Sequence, residues 1–409
     1  MSEDCVIVFE DKHYSRFYPI SLSRPIYDIL AGSKTNLERI KYHFKDLPLF
    51  TICRPHIANT SEIPQFNRAI LINGACVFLK KDLEFIKELK NSNENIAYTK
   101  NGIPIAIVLS SKEFRERISQ GFSEKIIDGL KRVEIDILTF SYIWDLIIYN
   151  QELIISDFDE YFKDKGLQGN IGDSFIYGKE IFADNNISAD TFSVIDSREG
   201  PVIIEKEVEI KPFTYLKGPA FIGNECKLVG GKITGGCSFG NGCRIGGEIE
   251  NSIIIGNTNK YHEGFIGHSY IGEWVNLGAL ATNSDLKNNY SEISVKQNGN
   301  IVKTGSIKIG CFIGDHTKIG IGITLNTGVV IGFSCNLFGG SLIMEKEIPS
   351  FAWGNDSLRR CFSLENAIKT AQIVLERRNC AFDNKQNQMF KYIFNESKMQ
   401  RKVWLKNGC

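Results

Sequence analysis

From residue 204 onward the apolar positions of this chain recur at a spacing of six. Ile204, Ile210, Leu216, Ile222 and Leu228 keep the beat, and it resumes at Ile307, Ile313, Ile319, Leu325, Ile331 and Leu337. Four residues after each of these stands a small or β-branched residue: Val208, Thr214, Ala220 and Cys226, then Cys311, Thr317, Ile323, Val329, Cys335 and Ser341. A strand alternates with period two and a helix with period 3.6, so neither produces six. A six-residue repeat predicts a parallel β-helix, each hexad forming one flat face of a triangular coil. The aliphatic residue fills the coil interior and the small one closes its corner.

The rest of the chain divides around that repeat. Residues 1–190 read as α/β, with strands at 5–9, 68–72 and 103–109 and helices at 36–44, 82–89 and 111–118. Strands alternating with helices predict a mostly parallel sheet. A helix over 142–162 leads out, and the Gly-, Asn-, Asp- and Ser-rich stretch 166–200 reads as a connector. The solenoid is expected over 201–345. In its middle Phe239 and Ile245 keep the beat, 253–255 slip it, and Phe265, Ile271 and Leu277 restore it. Residues 282–304 lose the repeat in a polar insertion, read as a functional loop rather than an inert one. Helical spacing at 364–377 and 387–394 predicts a C-terminal segment over 346–409 that could cap the open end of the solenoid.

Composition narrows the class. The 409 residues carry zero formal net charge, which disfavours nucleic acid or an acidic membrane surface as the main partner. No apolar run reaches the length of a membrane span, and the acidic start Met1-Ser2-Glu3-Asp4 lacks a secretory signal, so a cytoplasmic protein is expected. The eleven cysteines include no CxxC pair. Cys226, Cys237, Cys243, Cys311 and Cys335 fall at the small inward position of the hexad, so they read as core residues and no metal site is expected.

The run from His262 to Ala279, HEGFIGHSYIGEWVNLGA, is where chemistry concentrates. It resembles the acetyltransferase domain of the bifunctional N-acetylglucosamine-1-phosphate uridyltransferase / glucosamine-1-phosphate N-acetyltransferase family, the GlmU-like proteins. Further shared stretches are 19–25 (PISLSRP), 144–146 (WDL), 259–277, 284–290 (SDLKNNY), 314–320 (GDHTKIG) and 348–354 (IPSFAWG). They are most similar to the divergent branch typical of Bacteroidetes. The resemblance implies an N-terminal Rossmann-like nucleotidyltransferase domain, a left-handed parallel β-helix and C-terminal helices. It implies transfer of an acetyl group from acetyl-CoA to an amino sugar phosphate of the glucosamine 1-phosphate type, in a homotrimer with coenzyme A between subunits. It carries His262 onto the catalytic base, Asn276 onto a substrate-contacting asparagine and Ala279 onto a backbone contact near the acetyl group. Asn289 and Tyr290 match a displaced Asn-Tyr segment.

Physical chemistry agrees with those roles. Acetylation of an amine needs a base near neutral pH, which an imidazole supplies, and a preorganised donor for the oxyanion. Lys260 and Lys287 are candidate phosphate-binding cations or, equally, solvated lysines. His268 is read as lining the site, and His316 either approaches acetyl-CoA or faces outward.

The first domain departs from its family. The strand at 5–9 is followed by EDKHYSRF, without the Gly-rich phosphate loop. Arg16 and Arg24 stand nearest the expected nucleotide-binding cations. Ala75 occupies the position of a Mg²⁺-binding aspartate, so Mg²⁺ and UTP are expected only if this domain is active. An active nucleotidyltransferase and a non-catalytic scaffold both stay open.

Overall fold

The computed structural model describes residues 4–57, 63, 65–118, 124–167 and 169–405. The chain forms two compact units. The first comprises residues 1–17, 24–29 and 34–142, and the second residues 18–23, 30–33 and 143–409.

The first unit is built on a six-stranded sheet in the order 49–52, 5–9, 68–73, 103–110, 96–100, 131–134. The central strand Cys5–Phe9 is buried throughout. Val6 and Val8 pack into one core and Cys5, Ile7 and Phe9 into the other, as pleating requires of a strand covered on both faces. Helices Asn36–His43, Leu83–Asn91 and Ser111–Ile118 fall where expected; the first is capped by a reciprocal Thr35–Glu38 pair. The sheet is mostly parallel, as expected, with five of its six strands running one way; Ile103–Ser110 runs antiparallel to both of its neighbours. The cause is local. Asn101 and Gly102 both adopt positive φ, the requirement of a two-residue hairpin turn, and so create the strand Ile96–Lys100.

The second unit is the left-handed β-helix with its C-terminal helices. One face stacks nine parallel strands, from Ile181–Ala183 to Glu347–Ile348. The solenoid starts before residue 201. Phe175–Tyr177, Ile181–Ala183 and Ser188–Ala189, in the stretch read as a connector, pair in parallel register with later coils. Polar, glycine-rich composition hid them because their turns outnumber their core positions. Along the main repeat, Ile204, Ile210, Leu216, Ile222 and Leu228, with Ile313, Ile319, Leu325, Ile331 and Leu337, join one continuous core. Ile307 and Ser341 do not. Both are exposed: Ile307 still belongs to the end of the insertion, where Leu286 bridges Lys308, and Ser341 follows the positive-φ glycines Gly339 and Gly340. Phe265 yields the core position to Ile266.

The insertion is a second Asn-Gly hairpin. Ser294–Gln297 and Asn300–Lys303 pair antiparallel across Asn298 and Gly299, both at positive φ. The C-terminal helices Leu364–Glu376, Asn384–Glu396 and Lys398–Leu405 pack Phe390, Ile393, Ala367 and Ala371 against Phe333 and Phe351 of the solenoid. Trp404 joins the solenoid core itself. No helix among the described residues is long and apolar enough to cross a membrane.

Cys226, Cys237, Cys243, Cys311 and Cys335 are all buried in the core, as the hexad predicts. Burial pushes the thiols of Cys237, Cys311 and Cys335 up to about 12. These cysteines are expected to react with a thiol reagent only on unfolding, which a titration with and without denaturant measures; rapid labelling of the native protein would contradict their packing role. Ile271→Ala, at a fully buried position, is expected to cost about 2–5 kcal/mol by urea unfolding.

Candidate active site

Parallel stacking places residues far apart in sequence at one edge of the solenoid. Leu280 N–H donates to the Glu263 carbonyl at 2.8 Å, and Gly322 N–H to the Ala279 carbonyl at 2.9 Å. Segments 261–263, 278–280 and 320–322 are therefore neighbouring layers of one corner, with backbones about 4.8 Å apart. His262 is exposed there, with the Tyr261 ring against it at 5.3 Å between centroids. Ala279 lies one layer on, and its N–H donates to no protein acceptor among the described residues. The base and the oxyanion donor suggested by sequence thus share one corner.

Lys260 has a different place from the one expected. It is neither a solvated lysine nor open to substrate: its exposure is 0%. In parallel register it follows Ile245, so it occupies the aliphatic position of the coil interior. Its ammonium donates to the Gly246 carbonyl at 3.1 Å and to the His262 carbonyl. Burial drives its pKa down to about 8, with Glu263 opposing the shift. Room for this amine comes from Gly247, at φ +75°, where a Cβ would stand 2.9 Å from Lys260 Nζ and from the His262 carbonyl. Lys260 thus anchors the loop that carries His262 from beneath.

Asn276 lies on the face leading into this corner. Arg244, Asn259, Asn276 and Lys318 succeed one another in register on consecutive coils, and Asn259 Nδ2 donates to Asn276 Oδ1 at 2.9 Å. Neither Arg244 nor Lys318 was singled out by sequence. The periodicity identifies inward positions and says nothing about which outward ones share a cavity.

The remaining candidates separate from His262. His268 sits six residues on, at the far end of the same face, up to ~20 Å of extended chain away. Its Nδ1 lies 2.7 Å from Asp285 Oδ2. Burial would raise the Asp285 carboxyl, yet the His268 contact and Lys308 hold it below its ordinary value. Lys287, Asn289 and Tyr290 follow Asp285 directly: Lys287 Nζ donates to the Glu292 carbonyl at 2.5 Å, Asn289 Oδ1 accepts from Ser291 N–H at 3.1 Å, and Tyr290 is exposed. His316 is not an outward polar residue. It is buried between Trp274, Phe333 and Phe390, so helix Asn384–Glu396 covers it. Its neighbour Asp315 accepts from Ser23 Oγ at 2.5 Å and from Glu273 N–H at 2.7 Å, which ties the stretch 19–25 to the stretch 314–320.

In the first unit a cavity of about 530 Å³ opens at the C-terminal ends of strands Cys5–Phe9 and Leu49–Ile52, where α/β folds bind ligands. Lys12, Arg54 and Lys125 line it; Arg16 and Arg24 do not. Arg16 instead lies over the Tyr142 ring. Arg54 Nε pairs with Glu10 at 2.8 Å. Asp11 accepts from Asn73 Nδ2 at 3.0 Å, and among the described residues no three ligating side chains could hold a metal ion.

The buried amine makes a pH prediction. Between about 8 and the ordinary lysine value of ~10.4 the unfolded state binds more protons at Lys260, so its contribution to stability rises with pH across that window. The unfolding free energy of the native chain relative to Lys260→Met should therefore increase from pH 8 to pH 10 in paired urea titrations. A difference that does not move would refute the buried-amine assignment.

Comparison with known proteins agrees with this architecture. The sugar nucleotidyl transferase family profile matches residues 6–165. A bifunctional sugar-1-phosphate nucleotidylyltransferase/acetyltransferase of Sulfurisphaera tokodaii is 27% identical over 49% of this chain and 50% of its own length. The bifunctional protein GlmU of Methanocaldococcus jannaschii is 29% identical over 36% of this chain and 31% of its own. The chain thus spans half or less of these two relatives. The uncharacterized acetyltransferase YaiX of Escherichia coli O6:K15:H31 is 30% identical over 41% of this chain and 72% of its own length. With YaiX, the chain belongs among the acetyltransferases, and it is similar to the GlmU-like bifunctional proteins.

Proposed function

We propose that the second unit transfers an acetyl group from acetyl-CoA to the amine of an amino sugar phosphate, of the glucosamine 1-phosphate type. The observation that carries this reading is the corner where His262 and the Ala279 N–H occupy adjacent layers above the buried Lys260. The sugar amine attacks the thioester carbonyl carbon and forms the C–N bond. His262 takes the amine proton, and the Ala279 N–H donates to the tetrahedral oxyanion. The C–S bond breaks, and the departing thiolate takes a proton from the imidazolium.

The same reading makes the protein a homotrimer. Its support is an apolar ridge along the His262 edge: Phe213, Leu280 and Ile321 are 77%, 60% and 70% exposed. A ridge of this kind on a solenoid edge suits burial against a second copy. Lys287, Asn289 and Tyr290, remote from His262 along the chain face, would reach the site of a neighbouring copy. For the first unit, the Ala75 position, the Asp11–Asn73 hydrogen bond and the Arg54–Glu10 pair support a nucleotidyltransferase fold without metal-assisted uridylyl transfer.

Three measurements test this reading. With acetyl-CoA and glucosamine 1-phosphate the native protein should release coenzyme A, and His262→Ala should lower the rate by about 10²–10⁴-fold; an unchanged rate would remove His262 from the mechanism. Leu280→Asp with Ile321→Asp should shift sedimentation from trimer to monomer, whereas a native protein that sediments as a monomer would end the trimer reading. UTP with N-acetylglucosamine 1-phosphate and Mg²⁺ should yield no pyrophosphate; its release would make the first unit active.

A further inference from the structure

A second feature of the solenoid stands beside the His262 corner. Where helix Leu364–Glu376 and the residues after it lie over the face, they leave a cavity of about 360 Å³, within the range of small-ligand pockets. Its wall carries Arg244 and Lys318 from the coils and Arg377 and Arg378 from the end of the helix, with Asn259 and Asn276 between them. No aspartate or glutamate lines it. At Asn257, which lines the cavity, the side-chain amide donates to the Glu273 carboxylate at 3.2 Å.

The cations are held there without counter-charge. Arg244 Nε is buried and has no hydrogen-bond partner among the described residues. Arg378 donates to the Gly242 carbonyl at 3.2 Å and Lys318 to the Trp274 carbonyl at 2.5 Å, so both are oriented by backbone rather than neutralised. Burial pushes the Lys318 amine down to about 8, and burial together with the Arg244 charge lowers Arg378. Gathering cations in a partly desolvated pocket opposes folding unless an anion compensates them. Guanidinium groups and amide side chains are the donors that suit phosphoryl oxygens.

We propose that this cavity binds a phosphoryl group, and, resting on the acetyl-transfer reading, that the group belongs to a reactant of that reaction. Asn259 is three residues before His262, within ~10 Å of extended chain, so an anion here lies within reach of the catalytic corner. Two sources carry this chemistry: the phosphate of the amino sugar and the diphosphate of coenzyme A. The C-terminal segment then supplies half of a binding site in addition to packing on the solenoid.

The test uses the full chain and direct binding, by calorimetry and thermal shift, so that it does not depend on turnover. Inorganic pyrophosphate should bind and raise the melting temperature, because a ligand of the folded state alone stabilises it. Arg244→Gln and Arg378→Gln should each weaken that binding at least tenfold, while Arg132→Gln, on an exposed strand of the other unit, should not. Without ligand, Arg244→Gln should melt no lower than the native chain, since it removes an uncompensated charge. Two further arms name the source. Glucosamine 1-phosphate binding that the variants lose points to the sugar phosphate, and coenzyme A binding that they lose, with pantetheine unaffected, points to the cofactor diphosphate. Absence of pyrophosphate binding, or equal binding by Arg244→Gln and Arg378→Gln, would overturn the proposal. Coenzyme A release without pyrophosphate binding refutes only this site; pyrophosphate binding without coenzyme A release refutes only the acetyl transfer.

Discussion

The parallel backbone ladder between successive coils is the constraint on which the second unit depends. Each coil donates its N–H groups to the coil beside it, so register is held along the whole solenoid. Inward side chains then stack as one core, and outward positions stack as columns. His262 meets Ala279 because the chain makes one circuit between them, and Arg244 and Lys318 stand in one column with Asn259 and Asn276 between them. A site built this way inherits the rigidity of the ladder, which acid–base chemistry at a fixed geometry needs.

Polar residues interrupt that core at Lys260 and at Asn283, the latter in register with Leu325. Lys260 replaces an aliphatic residue with an amine, and Gly246 and Gly247 withdraw to admit it: a Cβ at Gly246 would stand 2.3 Å from the Tyr261 carbonyl. A buried ammonium is costly unless its donors are used. Here they are spent on the carbonyls of Gly246 and His262. The cost falls on the fold, and the gain is a fixed backbone beneath the His262 imidazole. The cationic face beside it follows the same pattern, with local electrostatic strain kept at a place where a ligand can relieve it.

Much of this was legible in the sequence. The six-residue beat located the solenoid core and the inward cysteines, because core periodicity is a local property of the chain, and a family resemblance marked the His262-to-Ala279 run. Both Asn-Gly turns were also written there, at Asn101-Gly102 and Asn298-Gly299, and each produces an antiparallel pair that the helix-and-strand pattern alone conceals. The early coils before residue 201 were obscured for the opposite reason: their composition is that of a linker, and only pairing with later strands shows them to be part of the ladder.

By itself, then, the sequence determined the repeat, the identity of the core and the likeness of the His262-to-Ala279 run to a family, since these depend on residue type at fixed spacing. The tertiary structure decided which polar residues face one another. It turned Lys260 inward, buried His316 beneath a helix, separated His268 and Lys287 from His262 by the length of a coil face, and drew Arg377 and Arg378 to Arg244. Outward positions carry no periodic signature, and their partners are chosen by how coils stack and where the C-terminal helices come to rest, both of which are long-range outcomes of packing.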